Sequence, residues 1–207
     1  MPAETAAPDR RRGPLGLLAR IGTEGLAPAV VVTVLVFGTS WHATGAALPA
    51  LGWGALAAVF GAAVPMAAIL YGVRAGAWTD RHVRRREQRR LPLAVCLGST
   101  AAGTLLMWAA GAPRALVVLV ACMAASLVVT WAITERAQWK VSVHSLVAFG
   151  AATALSALYG PAAAAAAWPA ALLVGWSRVH LGDHTPGQVA VGGLIGAAAM
   201  AVFAALG

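Results

Sequence analysis

The sequence predicts an all-α, polytopic transmembrane helix bundle of six to seven spans, and three observations predict it. Of its 207 residues, 60% are hydrophobic and only 11% are charged, whereas roughly a quarter of a soluble domain is charged. The apolar residues come in long blocks and do not alternate with polar ones, the pattern of membrane-spanning helices. The basic residues are confined: of 15 Lys and Arg, all but Arg114 lie in the N-terminal stretch or in every second loop.

Residues 1–25 are polar and rich in Ala, Pro and Arg, with a cluster at Arg10-Arg11-Arg12. They are expected to form a disordered cytoplasmic tail; the alternative is a signal peptide with residues 30–37 as its apolar core. Residues 26–207 form the expected membrane domain. Its apolar segments are 26–41, 46–73, 91–110, 115–133, 141–159, 162–176 and 189–206. A spanning helix needs about 20 residues, so most fit and the first and sixth are short. Pro169 is expected to kink the sixth segment. Gly192-x3-Gly196 is a spacing for close helix approach. Cys96 and Cys122 sit inside apolar runs and read as small packing residues, not as a disulfide or metal pair. No spacing suggests zinc, and no metal or cofactor is expected.

If all seven segments cross, the N-terminus and loops 74–90, 134–140 and 177–188 share one side of the membrane. Positive residues mark the cytoplasmic side, so these loops are expected in the cytoplasm of a multi-pass cell-membrane protein. Arginines that bind phosphate would crowd an active-site face in the same way; Arg10, Arg11, Arg12 and Arg20 lie far from any motif and point to the same side.

Three polar pieces fall on that face, each two crossings from the next. The most informative is Ser177-Arg178-Val179-His180-Leu181-Gly182-Asp183-His184-Thr185-Pro186-Gly187-Gln188. Arg carries a planar fork of donors suited to phosphate oxygens, and an imidazole can attack phosphorus. A bilayer needs neither for packing, and ionisable groups at a membrane edge are functional by default. The second piece is Lys140-Val141-Ser142-Val143-His144, with a hydroxyl donor, a proton donor and a cation; Lys140 also reads as a snorkelling boundary residue. The third is the run from Asp80 to Pro92. Arg89 is its phosphate-contact choice, with Arg85, Arg86 and Arg90 as rivals, and a topology-fixing basic loop is the plain alternative.

These pieces resemble the three signatures of the superfamily that contains type 2 phosphatidic acid phosphatases and vanadium haloperoxidases. The Ser177–Gln188 segment is similar to Ser-Arg-x5-His-x3-Asp, with Gln188 where the family has Asp. Lys140–His144 resembles Pro-Ser-Gly-His with Pro and Gly replaced by Val. The basic loop resembles Lys-x6-Arg-Pro, with His82 in the Lys position and Arg90 in the Pro position. The resemblance covers roughly residues 80–196. It implies that His184 is a nucleophile forming a phosphohistidine. It implies that Arg178, Arg89 and Ser142 hold phosphate oxygens, with Lys140, Ser177 and His82 nearby. His144 would protonate the leaving alcohol and then activate water. His180 would line the site. Gln188 would orient His184 without the negative charge an Asp supplies, and Asp183 could assist from next door.

The implied function is a metal-free lipid-phosphate phosphatase acting on a polyprenyl or glycerolipid phosphomonoester or diphosphate. The alternatives are a metal-free enzyme that ionises a prenyl diphosphate for transfer or cyclisation, and a lipid-phosphate binding protein without turnover. Expected partners are the bilayer and a lipid or prenyl phosphate, with no nucleic acid; homo-oligomerisation is left open.

Overall fold

The computed structural model describes residues 13–80, 83 and 88–207, and they form an all-helical bundle. The chain runs through α1 (Pro14–Gly25), α2 (Pro28–Thr44), α3 (Ala47–Ala58), a π-helical turn (Val59–Ala63), α4 (Val64–Arg74), α5 (Arg90–Ala109), α6 (Arg114–Arg136), α7 (Val143–His180) and α8 (Pro186–Leu206). Among the described residues, five elements are long and apolar enough to cross a membrane: Ala47–Arg74, α5, α6, α7 and α8. The pair α1 and α2, bent by 48°, makes a sixth if it is one span.

At 1.5 Å per residue, α7 would be about 57 Å long if straight, nearly twice a hydrocarbon core of about 30 Å. It is folded back instead. Gly160 leaves the helical region (φ 73°, ψ −158°) and Pro161 follows it. The arms on either side lie antiparallel: the rings of Phe149 and Trp168 meet edge to face at 5.9 Å, and Ala148, Ala152, Ala171 and Val174 form one buried cluster. With α7 in two arms, the elements from α2 to α8 match the seven predicted apolar segments in order. The break falls at Gly160-Pro161, and Pro169, the expected kink, is held within the second arm without leaving helical geometry.

The expected tail is also corrected in part. Residues 14–25 form α1, which packs on the second arm of α7: Leu173 lies against Gly22, and Thr23 Oγ1 meets Ser177 Oγ at 2.9 Å. Residues 1–12 lie outside the described residues.

The main core joins α2, α3, α5, α6, the first arm of α7 and α8 through Val36, Met107, Leu116, Leu119, Val120 and Phe203, all nearly fully buried. The first arm of α7 and α8 approach at backbone distance. A Cβ on Gly196 would overlap the Leu146 carbonyl, and one on Gly192 the Ser142 carbonyl. This is the close approach that Gly192-x3-Gly196 predicts, because association inside a bilayer rests on packing rather than on hydrophobic transfer. It also sets the start of α7 beside the start of α8, where the polar residues are.

Candidate functional site

Hydrogen bonds bring the three motif loops to one end of the bundle. Arg89, just before α5, donates from Nη1 to the Val141 carbonyl at 2.7 Å and from Nε to the Val83 carbonyl at 3.0 Å. Lys140 Nζ donates to the Asp183 carbonyl at 2.6 Å. The Ser142 N–H donates to the Gln188 carbonyl at 3.2 Å. Loop 74–90, loop 137–142 and loop 181–185 are therefore tied together by bonds that each span 43 residues or more.

The loop after α7 is short and strictly shaped. The Arg178 carbonyl accepts from both the Asp183 and His184 N–H groups, each at 3.1 Å. This turn needs a left-handed residue, and Gly182 supplies it with φ +70°. The result folds His184 back under the end of the helix that carries Arg178. Arg178 is 1% exposed, and its Nη2 lies 3.0 Å from Asp183 Oδ2. Asp183 thus faces the arginine fork, and the imidazole is oriented from the other side.

That orienting group is Gln188. Its N–H donates to Thr185 Oγ1, and its Oε1 accepts from the Thr185 N–H, both at 3.3 Å, a reciprocal cap at the start of α8. The same Oε1 lies 3.1 Å from His184 Nδ1. Since the Thr185 N–H requires an acceptor there, the amide oxygen faces the ring, and His184 must donate from Nδ1. The lone pair then resides on Nε2. Residue 188 does what an Asp at this position would do for the tautomer, without adding charge.

The electrostatics keep that imidazole neutral. Burial, with the positive charges of Lys140, Arg89 and Arg178, lowers the pKa of His184 to about 3, against a smaller upward pull from Gln188. Arg89, 6% exposed, is itself pushed down to about 10 by burial and by Arg178, with Asp80 pulling the other way. A neutral His beside three cations, one of them paired with Asp183, is an environment that favours added negative charge. The helices agree: α5, α7 and α8 all begin at this end, and none has an acidic residue in its first turn. Helix N-termini present positive potential and unpaired N–H groups.

His144 lies in the first turn of α7, 8% exposed. It lines a cavity of about 410 Å³ together with Arg89, with Glu24 of α1, and with mostly apolar residues of α2, α4, α5, α6, the first arm of α7 and α8; His184, Arg178 and Lys140 lie beside this cavity and not in its lining. The other expected residues fall differently. Ser142 is fully buried and caps α7, its Oγ accepting from the Ser145 N–H and lying 2.9 Å from Ser145 Oγ. Ser177 Oγ donates to the Val174 carbonyl at 2.7 Å and pairs with Thr23, so it holds α1 to α7. Arg90 is exposed and reaches toward Glu135, with Nε–Oε2 3.8 Å, which leaves Arg89 as the inward arginine among the described residues of its loop. His82, Arg85 and Arg86 lie outside the described residues. His180 stacks on Trp176, ring centroids 4.9 Å apart. Among the described residues no group of three or more His, Cys, Asp or Glu could hold a metal ion. Thr185, as the partner that fixes the Gln188 amide, was missed in the motif reading; the Thr-x2-Gln capping pattern was its signal.

Fold and site together define a polytopic membrane helix bundle with buried Arg89, Arg178, His144 and His184 gathered at one end. Against family models, curated proteins and solved structures, the chain matches none.

Proposed function

We propose that the protein is an integral membrane lipid-phosphate phosphatase that works through a phosphohistidine at His184. The observation that carries the reading is His184 itself: neutral, with Nδ1–H pinned on Gln188 and Nε2 left as the nucleophile, among Arg89, Arg178 and Lys140. Nε2 attacks phosphorus, and the bond from phosphorus to the ester oxygen breaks as His144 donates its proton to the departing alcohol. Water then attacks the phosphoryl group, the N–P bond breaks, and His144 takes the water's proton. Arg89 and Arg178 offset charge on the phosphoryl oxygens throughout. A dianionic phosphate also reverses the local field that holds His184 neutral, so the imidazolium formed on phosphoryl transfer is less costly with substrate bound.

The motif similarity supports the same reading, as does the apolar cavity beside Arg89 and His144, which suits a lipid tail. The confinement of basic residues supports a cytoplasmic site, fitting a phosphate made inside the cell. The test is phosphate release from a panel of lipid phosphates by purified protein, with and without chelator. Release that persists in chelator and vanishes in His184→Ala is the expected result; no release from any member overturns the reading. One observation favours binding without turnover: Gln188 adds no charge behind His184. That case would show tight binding of lipid phosphates and no trapped phosphoryl adduct.

A further inference from the structure

The cavity beside the site has a definite depth. Arg89, Val83 and His144 line it at the polar end; Thr100 and Met200 line it at the other. Eleven residues of α5 separate Arg89 from Thr100, about 16 Å of helix, so the cavity ends near the middle of a hydrocarbon core of about 30 Å. Beyond it the bundle is closed: Met107, Leu116, Leu119, Val120 and Phe203 are all buried to 1% exposure or less. Met200, at 3% exposure, belongs both to this plug and to the cavity lining.

The wall opposite is made by an irregularity. The π-helical turn Val59–Ala63 interrupts Ala47–Arg74 at cavity depth, and Gly61 and Ala62 line the space. The turn is anchored from α5: Ser99 Oγ donates to the Phe60 carbonyl at 2.6 Å, and the Phe60 side chain lies on Gly103. The extra residue of the turn thus rotates Phe60 onto α5 and leaves the two small residues facing the cavity. Such turns concentrate at functional positions.

We propose that this cavity is a single-chain chamber that takes one apolar tail about 16 Å long, roughly three isoprene units, and that Met200 and Ala62 set the limit. The phosphate end lies at Arg89 and His144. A second lipid chain, or a chain that must run through the plug, should bind less tightly. The substrate class is therefore a single-chain phosphate, either a short prenyl phosphate or a one-chain acyl glycerol phosphate. The assignment of the phosphate end rests on the phosphatase reading; the tail fit does not.

The test uses full-length protein in lipid nanodiscs and non-hydrolysable prenyl phosphonates of five, ten, fifteen and twenty carbons, with single-acyl and diacyl glycerol phosphonates alongside. Because the tail moves from lipid to protein, selection comes from fit and not from transfer out of water. The fifteen-carbon compound should bind about tenfold or more tighter than the twenty-carbon and diacyl compounds; the single-acyl compound tells whether prenyl branching matters. Met200→Ala should move the optimum to longer chains. Ala62→Leu should move it to shorter ones while keeping ten-carbon binding, which shows that the variant is folded. Affinity that is flat or rising through twenty carbons and diacyl lipids, or variants that scale every length alike, would overturn the chamber. A length optimum in binding with no hydrolysis of the matching phosphates would sink the phosphatase reading and leave the chamber standing. Hydrolysis without a length optimum would do the reverse.

Discussion

The two ends of this bundle are built on opposite terms. The site end buries Arg89, Arg178, Asp183 and His184, each at 6% exposure or less. The far half buries Met107, Leu116, Leu119, Val120 and Phe203 with no charged group among them. Buried ions cost several kcal/mol each to desolvate, and packed apolar side chains cost nothing of the kind. The site end is thus held in a high-energy arrangement of cations around a neutral His, and the far half supplies rigid packing that lets it persist. The difference teaches where to look for function: the polar end is poorly explained by folding alone, whereas the apolar end is fully explained by it.

The sharpest way to break the comparison is at His184. Replacing His184 by Ala should abolish turnover altogether, and an acid-labile phosphoryl adduct trapped on the wild type should be absent. At the same time the variant should be no less stable at mildly acid pH than the wild type. The sign follows from the depressed pKa of about 3: the unfolded imidazole takes a proton near pH 6.5 and the folded one does not, so the stability it confers is complete above pH 6.5 and is lost as pH falls toward 3. Melting temperature against pH in both proteins checks this, as the wild type should lose more between pH 6.5 and 4. For the same reason the acid limb of kcat/KM should lie well below pH 6.5. A limb at pH 6.5 that stays in place when the substrate's own phosphate ionisation is shifted would mean that burial and the three cations do not control the ring.

Next in size is the buried ion pair. Arg178→Met deprives Asp183 of its guanidinium in a site with almost no solvent, and should cost about 3–5 kcal/mol of stability. Arg178→Met combined with Asp183→Leu should recover much of that stability and none of the activity, measured as thermal melting beside phosphate release. Recovery of both would show that Arg178 is structural only.

The far half should respond in the opposite sense. Phe203→Ala leaves a void, but the transfer part of the usual cost of about 3–5 kcal/mol is missing where lipid is the solvent. The expected loss is about 2 kcal/mol, with the pH profile of turnover unchanged. A shifted profile would show that the two ends are coupled.

The smallest expected effect is at Gln188. Gln188→Glu keeps the side-chain length and the reciprocal cap, places a carboxylate near the start of α8 where it is favoured, and adds a charge behind His184. The pKa of His184 and the acid limb of kcat/KM should rise, by about one unit for each 1.4 kcal/mol of new interaction. Gln188→Met should remove the acceptor and slow turnover. An unmoved limb in both variants would mean that the 3.1 Å contact does not orient the ring.

Much of this was legible before any coordinates. Blocks of apolar residues with polar breaks mark the helices because a bilayer leaves no other way to satisfy backbone groups. Arg178 and His184 stood out because membrane packing has no use for them. Gly192-x3-Gly196 announced a close approach. Less legible was what each polar side chain does. Ser177 has the motif position but serves α1 through Thr23. Ser142 caps its helix. Lys140 reaches the Asp183 carbonyl across 43 residues. Pro169 reads as a kink, yet the second arm of α7 stays helical there; the chain turns at Gly160-Pro161, the break expected between the fifth and sixth segments.

What the sequence determined by itself is the helical bundle, the order of its spans and the residue types gathered at one end, because hydrophobic blocks and local caps act over a few turns. Only the tertiary structure decided which side chains hold the two arms of α7 together, Phe149 against Trp168 among them. Only it decided that Gln188 both caps α8 and holds the imidazole, and that a π-helical turn and Met200 bound a chamber of finite depth. Those features depend on which particular side chains meet, from Gln188 and His184 four residues apart to Ser99 and Phe60 39 residues apart, and contacts of that kind leave no periodicity to read.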